Sequence, residues 1–515
     1  MLPPLPTAMH RRAFLTRSTS PARPASHRHA ALVADLTPYA GPWTPTQAAH
    51  LVRRTHFGAS RQDVVSALVA GSAGAAASAL VNKAASRPLP DAPGWAGTIT
   101  SDNGLNTLRV YEWQRAWYTE MAAGGLREKL ALLWHDHFAT GHEVYRHAAF
   151  AVEYLTFLRE HAVGPFRPLL QGIGTRPAML RFLDNEQNEA GNLNENYARE
   201  IMELFSMGIT GPDGQPNYTQ DDVVEAARAL TGWVVDEGAI RGRFRSERHD
   251  AGAKTILGRT GAWGHDDLVQ ILFDERADAI AHFLAGKLYA WFVHPVPNAG
   301  VVAALAGVLR QSDFSVPTAL QALLTSAHFY DTAVVGARLK SPMELAIGVL
   351  RELGVTPSAA ALETIRMRTQ SIGQEVLNPP SVEGWPGYDD PLEYRAWVTT
   401  GTIPERRGLA ESVIYGESGF ADYDPLPLVE QVSDRFDPYG LVRDLAAHLL
   451  AIPLTDAAAD ELAEQTVLDG VPMSYSREER AGFWVEIVVS AEPVARERLR
   501  HLLAALVNLP EYQLV

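Results

Sequence analysis

Leu126-Arg127-Glu128-Lys129-Leu130-Ala131-Leu132-Leu133-Trp134-His135-Asp136-His137-Phe138 decides the fold class. Leu126, Leu130 and Leu133 recur at four and then three residues, the spacing of one helix face, and the run closes in a polar and aromatic block. The same spacing returns along the chain. It predicts helices over about 45–55, 60–70, 73–84, 104–123, 125–137, 146–162, 176–183, 194–207, 219–231, 266–273, 275–293, 298–310, 315–326, 341–354, 437–451, 456–465, 477–489 and 492–507. Helix starts carry their own signals. Thr219 with Asp222, and Ser341 with Glu344, each place a hydroxyl at the cap and a carboxylate three residues on, and Pro342 sits where a missing N–H costs nothing. A short hairpin or ribbon near Ile240–Phe244 and Thr255–Leu257 is the one β signal. The expected fold is mainly α, a large multi-helical body with at most one short β-hairpin or ribbon.

Two segments resist a helical reading, Asn378 to Tyr388 and roughly 399–436. The first holds three prolines and two glycines, which forbid continuous helix, yet it carries Trp385 and Tyr388. Such a loop either lines a site or is clamped to the core by its aromatic residues. Outside these segments the chain divides into a basic leader expected to be disordered over 1–42, a main helical domain over 43–398, a linker or packed loop over 399–436, and a C-terminal helical block over 437–515.

Composition narrows the chemistry. The 515 residues include no cysteine, which excludes disulfides, thiolate metal sites, iron–sulfur clusters and a cysteine nucleophile. With 45 basic against 60 acidic residues the net charge is −15, which argues against a general affinity for nucleic acid. No apolar run reaches the ~18 residues of a membrane span. Arg11, Arg12, Arg17, Arg23 and Arg28 all precede the first acidic residue, Asp35. Arg11-Arg12-Ala13-Phe14-Leu15 resembles a twin-arginine export motif, but Thr16 to His29 is polar and basic where an export signal needs an apolar stretch. A cytoplasmic location is therefore expected, with export through the twin-arginine route as the alternative.

Three polar clusters interrupt otherwise apolar helices. His135-Asp136-His137 ends the 125–137 helix; two residues apart, its histidines converge on one ligand only if the helix ends or bends there. The alternative is one histidine capping helix carbonyls and the other solvated. In the second cluster Asn194 precedes Asn196, Glu200 and Glu203, which share a polar stripe beside an apolar one formed by Tyr197, Ile201 and Leu204. Such a stripe suits a buried metal or polar-ligand site; alternatively Glu195, Arg199 and Glu203 form a solvent-exposed salt ladder. In the third, His249-Asp250 on a turn either ligates a cation, with Asp250 able to orient the imidazole, or simply makes the turn with Gly252. Phosphate-cradling loops and the usual zinc-protease and serine-hydrolase signatures are absent.

With these motifs assembled, the chain resembles the bacterial family called domain of unknown function 1800. The resemblance rests on Arg127-Glu128-Lys129 leading to Trp134-His135-Asp136-His137-Phe138, on Asn194-Glu195-Asn196-Tyr197-Ala198-Arg199-Glu200, and on Tyr218-Thr219-Gln220-Asp221-Asp222 with Thr231-Gly232-Trp233. It is extended by His249-Asp250 with Lys254, by Lys340-Ser341-Pro342-Met343-Glu344, by Gly384-Trp385-Pro386-Gly387 and by the closing Pro510-Glu511-Tyr512. The resemblance implies a bacterial protein, commonly exported, often encoded beside a sulfatase-like partner protein. It implies no activity.

The residues support two function classes. The first is a metal-dependent enzyme, a hydrolase by preference, with zinc, manganese or iron held by some of His135, His137, Glu200, Glu203, His249 and Asp250. Glu200, Asp250 and Arg199 would then serve catalysis, while Asn194, Asn196, Trp233, Trp385 and Tyr388 would contact a small-molecule or polymer substrate. An oxidoreductase with the same non-haem metal, acting on a secondary-metabolite or peptide substrate, is a variant of this reading. The second class is a non-catalytic helical scaffold that binds a partner protein or polymer, its polar clusters being hydrogen-bonded networks that fix helix register.

Overall fold

The computed structural model describes residues 35–389 and 395–515. Among the described residues about 60% are helical, counting the 3-10 and π turns, and 24 α-helices are present. Two antiparallel ribbons replace the single expected hairpin: Trp233–Asp236 pairs with Arg241–Phe244, and Lys254–Ile256 pairs with Arg259–Gly261. Each strand folds back on its own neighbour across a tight turn, so the two stretches read as one hairpin's arms never meet as partners.

Caps act where the sequence places them. Thr219 with Asp222 and Ser341 with Glu344 both form complete capping boxes. Three helices of eight or more residues lack a clear sequence signal: Phe166–Ile173, Ala359–Ser371 and Thr402–Tyr415. In the first and last, Pro168 and Pro404 are third helical residues, where no intrahelical partner awaits an N–H, so the proline that reads as a breaker is tolerated. The 399–436 stretch is thus no extended linker. Its helix packs on both Pro342–Leu353 and the C-terminal Glu492–Asn508.

That C-terminal helix leads the chain back into the body. Lys340 N–H donates to Gln513 at 2.7 Å, Val515 N–H donates to Arg338 at 2.8 Å, and one continuous apolar core runs from Ala48 to Tyr512. Part of the expected leader is also held: Thr37 and Tyr39 bond the backbone of Ala327 and Thr325. Arg11 and Arg12 lie outside the described residues.

Charged groups penetrate the core in pairs. Glu128 accepts from Arg159 at 2.8 Å, from Arg127 at 3.3 Å and from the Trp117 indole at 3.0 Å. The adjacent Lys129 reaches Glu344, while Lys340 and Tyr512 converge on Glu352 at 3.4 and 2.7 Å. A buried charge is costly unless paired. The Arg-Glu-Lys and Lys-Ser-Pro-Met-Glu motifs therefore act as cross-links between helices distant in sequence.

Candidate functional site

The His135-Asp136-His137 cluster ends the Leu126–His137 helix, buried on every side. His135 Nε2 accepts the Leu377 N–H at 2.8 Å, and its Nδ1 lies 3.2 Å from the Tyr154 hydroxyl. Asp136 accepts the Trp385 N–H at 2.8 Å. His137 Nε2 sits 3.1 Å from the Phe205 carbonyl, among the rings of Trp134, Phe138 and Phe166. Burial pushes His135 down to about 3 and His137 well below the ordinary histidine value, so both are neutral at physiological pH. The two imidazoles do not face one another's ligand. One holds the 377–385 loop and the other holds the turn after the 196–202 helix.

The second cluster opens on the surface. Asn196 is exposed, and Arg199 pairs with Glu195 at 3.0 Å, one rung of the alternative ladder, and donates to Gln220 at 3.0 Å. Glu203 accepts the Tyr218 hydroxyl at 3.0 Å, and Glu200 is half-buried. A one-turn π-helix, Glu203–Met207, interrupts the expected continuous helix and carries the Phe205 carbonyl to His137.

The third cluster is tied internally. Both carboxylate oxygens of Asp250 are taken by Arg228, at 2.7 and 3.2 Å, and Gly252 N–H adds a third bond at 2.8 Å. The bonds from Arg228 hold the Asp250 carboxyl below the usual carboxylate value. His249 Nδ1 lies 3.0 Å from the Thr231 carbonyl, and Lys254 donates to the carbonyls of Asp250 and Gly252. Among the described residues, no group of three or more His, Asp or Glu side chains is placed to hold a metal ion.

The aromatic residues Trp385, Tyr388 and Trp233 pack on the protein's own side chains. Trp385 is fully buried with its ring 5.2 Å from His135, and Tyr388 packs on Trp291 at 4.2 Å while Gln374 donates to its hydroxyl at 3.0 Å. These contacts clamp the loop to the core. Trp233 is half-buried against Phe244 and His265.

The structure ties Asn194 of the second cluster, through Asn188, to the segment that leads into the third. Asn188 donates to Ala227 at 2.8 Å, accepts the Asn194 N–H at 3.0 Å through its side chain, and accepts the Gly232 N–H at 3.1 Å through its carbonyl. Ala190 N–H reaches the Arg248 carbonyl at 2.9 Å, and Arg248 pairs with Glu189 at 2.7 Å. Over this seam lies an open groove of about 650 Å³, walled by Glu186, Glu189, Arg245 and Arg248 with Val234 and Val235 between them. None of its four charged residues belongs to the site residues expected from the sequence.

A second feature the spacing did not announce is Glu153, on the Ala148–His161 helix beside a cavity of about 390 Å³. Burial raises its carboxyl to about 7 despite Arg176 at 2.9 Å. A lone carboxylate between Val152 and Tyr154 in an apolar run was the available signal.

Comparison with known proteins bears on what this assembly is. The family described as "Protein of unknown function (DUF1800)" matches residues 50–514, nearly the whole chain. The chain belongs to that family. No curated protein and no solved structure matches it. Among the described residues of this family member, no helix is long and apolar enough to cross a membrane.

Proposed function

We propose that this DUF1800 protein is a non-catalytic helical scaffold that binds an extended segment of a partner protein in the groove between residues 186–192 and the 233–248 ribbon. One observation carries the reading. The side chains with ligand chemistry, His135, Asp136, His249 and Asp250, spend donor and acceptor atoms on the protein's own backbone and on Arg228. Held in this way, such groups specify register between segments, a role for which buried polar networks are suited.

What the network around Thr231 and Asn188 makes rigid is a surface with carboxylates, guanidinium groups and an apolar strip side by side. A polypeptide matches that mixture, because it offers main-chain hydrogen bonds together with side chains of both signs. A sulfatase-like protein, suggested by the family resemblance, is the first partner to try. Competing with this is the metal-dependent hydrolase, whose ligand set would require His135 and Asp250 to abandon the bonds described above.

The test is site-specific photocrosslinking in the native cell, with the crosslinker at Asn192 on the groove and, as a control, at the exposed Val489. A partner captured from Asn192 alone, and bound at least tenfold more weakly by Arg245→Glu, is the expected result. Identical capture from both positions would remove the proposal.

A further inference from the structure

Away from the groove, the helices Pro45–Thr55, Arg61–Val69 and Pro438–Leu449 enclose a separate cavity of about 550 Å³. Its wall is largely apolar, built from Ala49, Val64, Leu68 and Leu450, and Val65 at its edge is 57% exposed. That size falls within the ~300–1,000 Å³ usual for small-molecule sites.

Two arginines line this apolar space with donors to spare. Arg53, only 4% exposed, gives Nη2 to the Ala447 and His448 carbonyls at 3.0 and 2.7 Å, and its buried Nε has no hydrogen-bond partner among the described residues. Arg61 gives Nη1 to the Gln431 carbonyl at 3.2 Å, and its Nε and Nη2 are likewise buried without one. Asp444 also lines the cavity and its charge acts on Arg61, while its Oδ2 accepts from the Ser433 N–H and hydroxyl at 2.9 and 2.6 Å. His448 adds no charge, since burial lowers it to about 3. Two cations against one carboxylate leave the cavity net positive, and a guanidinium with free N–H groups is suited to a carboxylate.

We propose that this cavity binds a long-chain aliphatic carboxylate of the fatty-acid class, its head at Arg61 and Arg53 and its chain along the Ala49, Val64, Leu68 and Leu450 wall. The site stands on its own observations and is independent of the groove. An apolar chain alone would leave the guanidinium donors unsatisfied, and a short carboxylate would leave the apolar wall in water, so both parts of the ligand are required.

Isothermal titration of the full-length protein with dodecanoate, dodecanol, hexanoate and dodecyltrimethylammonium below their micellar concentrations tests it. Dodecanoate is expected to bind one-to-one, at least tenfold more tightly than dodecanol or hexanoate, with the ammonium compound not binding. Arg61→Gln, a change at a half-buried position, is expected to weaken dodecanoate at least tenfold and leave dodecanol unaltered. Absence of saturable dodecanoate binding overturns the proposal. So does equal affinity for dodecanol, equal affinity for hexanoate, or an Arg61→Gln protein that binds dodecanoate like the parent.

Discussion

Asp136 Oδ1 accepts the main-chain N–H of Trp385 at 2.8 Å, joining the end of one core helix to a proline-rich loop 249 residues away. Removing the acceptor strands a buried N–H, which costs ~1–3 kcal/mol. Asp136→Ala should therefore lower stability by about that amount and speed hydrogen exchange at 384–388. Asp136→Asn, which keeps an oxygen acceptor, should fall closer to the parent. Unchanged exchange in the alanine variant would show that the loop is held by other contacts.

The neighbouring Gly384 leaves no room for a side chain beside that contact. Its φ is +90°, and a Cβ there would lie 2.6 Å from the Asp136 carbonyl and 2.4 Å from its carboxylate. Gly384→Ala combines a left-handed alanine with a backbone collision, so a loss of roughly 2–4 kcal/mol is expected in chemical denaturation. A variant as stable as the parent would mean that the loop shifts freely.

Lys129 and Glu344 form a buried pair whose disruption should be severe. Burial raises the Glu344 carboxyl, but Lys129, Arg338 and the Ser341 N–H outweigh it and hold it at about 2; burial lowers the Lys129 ammonium to about 8. Glu344→Gln leaves that ammonium buried and unpaired, at a cost of ~3–5 kcal/mol. The double variant Lys129→Met with Glu344→Gln keeps the capping amide and removes the orphaned ammonium, so it should recover part of the loss, the rest remaining because Arg338, 3.7 Å from Glu344, still lacks its carboxylate. Equal destabilisation in the single and double variants would contradict this.

Glu153 reverses the usual carboxylate behaviour with pH. Its folded value of about 7 lies above the ordinary 4.5, so the native state holds a proton that the unfolded chain has released. Stability is thus lost as pH rises from about 4.5 through 7, by up to roughly 3 kcal/mol. Glu153→Gln should match the parent near pH 4.5 and exceed it above pH 7. Parallel stability profiles for the two proteins would disprove the assignment.

Metal content separates the two function classes. With both ring nitrogens of His135 engaged, elemental analysis of the purified protein after zinc, manganese or iron reconstitution should find well below one equivalent. The His135→Ala, His137→Ala double variant should leave that value unchanged. A stoichiometric metal lost in a folded double variant would restore the hydrolase reading.

Much of the architecture was legible because helix formation is local. Apolar spacing and hydroxyl caps act within one or two turns, so the helices at 45–55, 219–231 and 341–354 recur with closely matching limits, Pro45–Thr55, Gln220–Ala229 and Pro342–Leu353. The Thr402–Tyr415 helix was hidden by Pro404 and Gly408, whose cost tertiary packing overrides.

The sequence by itself determined the mainly helical fold, the family and the exclusion of thiol chemistry, since each follows from residue type and short-range spacing. Only the tertiary structure decided what the polar clusters do. His135, His137 and Asp136 carry ligand atoms in any fold, but one atom of each is engaged by Leu377, Phe205 and Trp385 respectively, which lie 68 to 249 residues away. Which partner fills a donor or acceptor is set by chain topology, and no spacing within one helix encodes it.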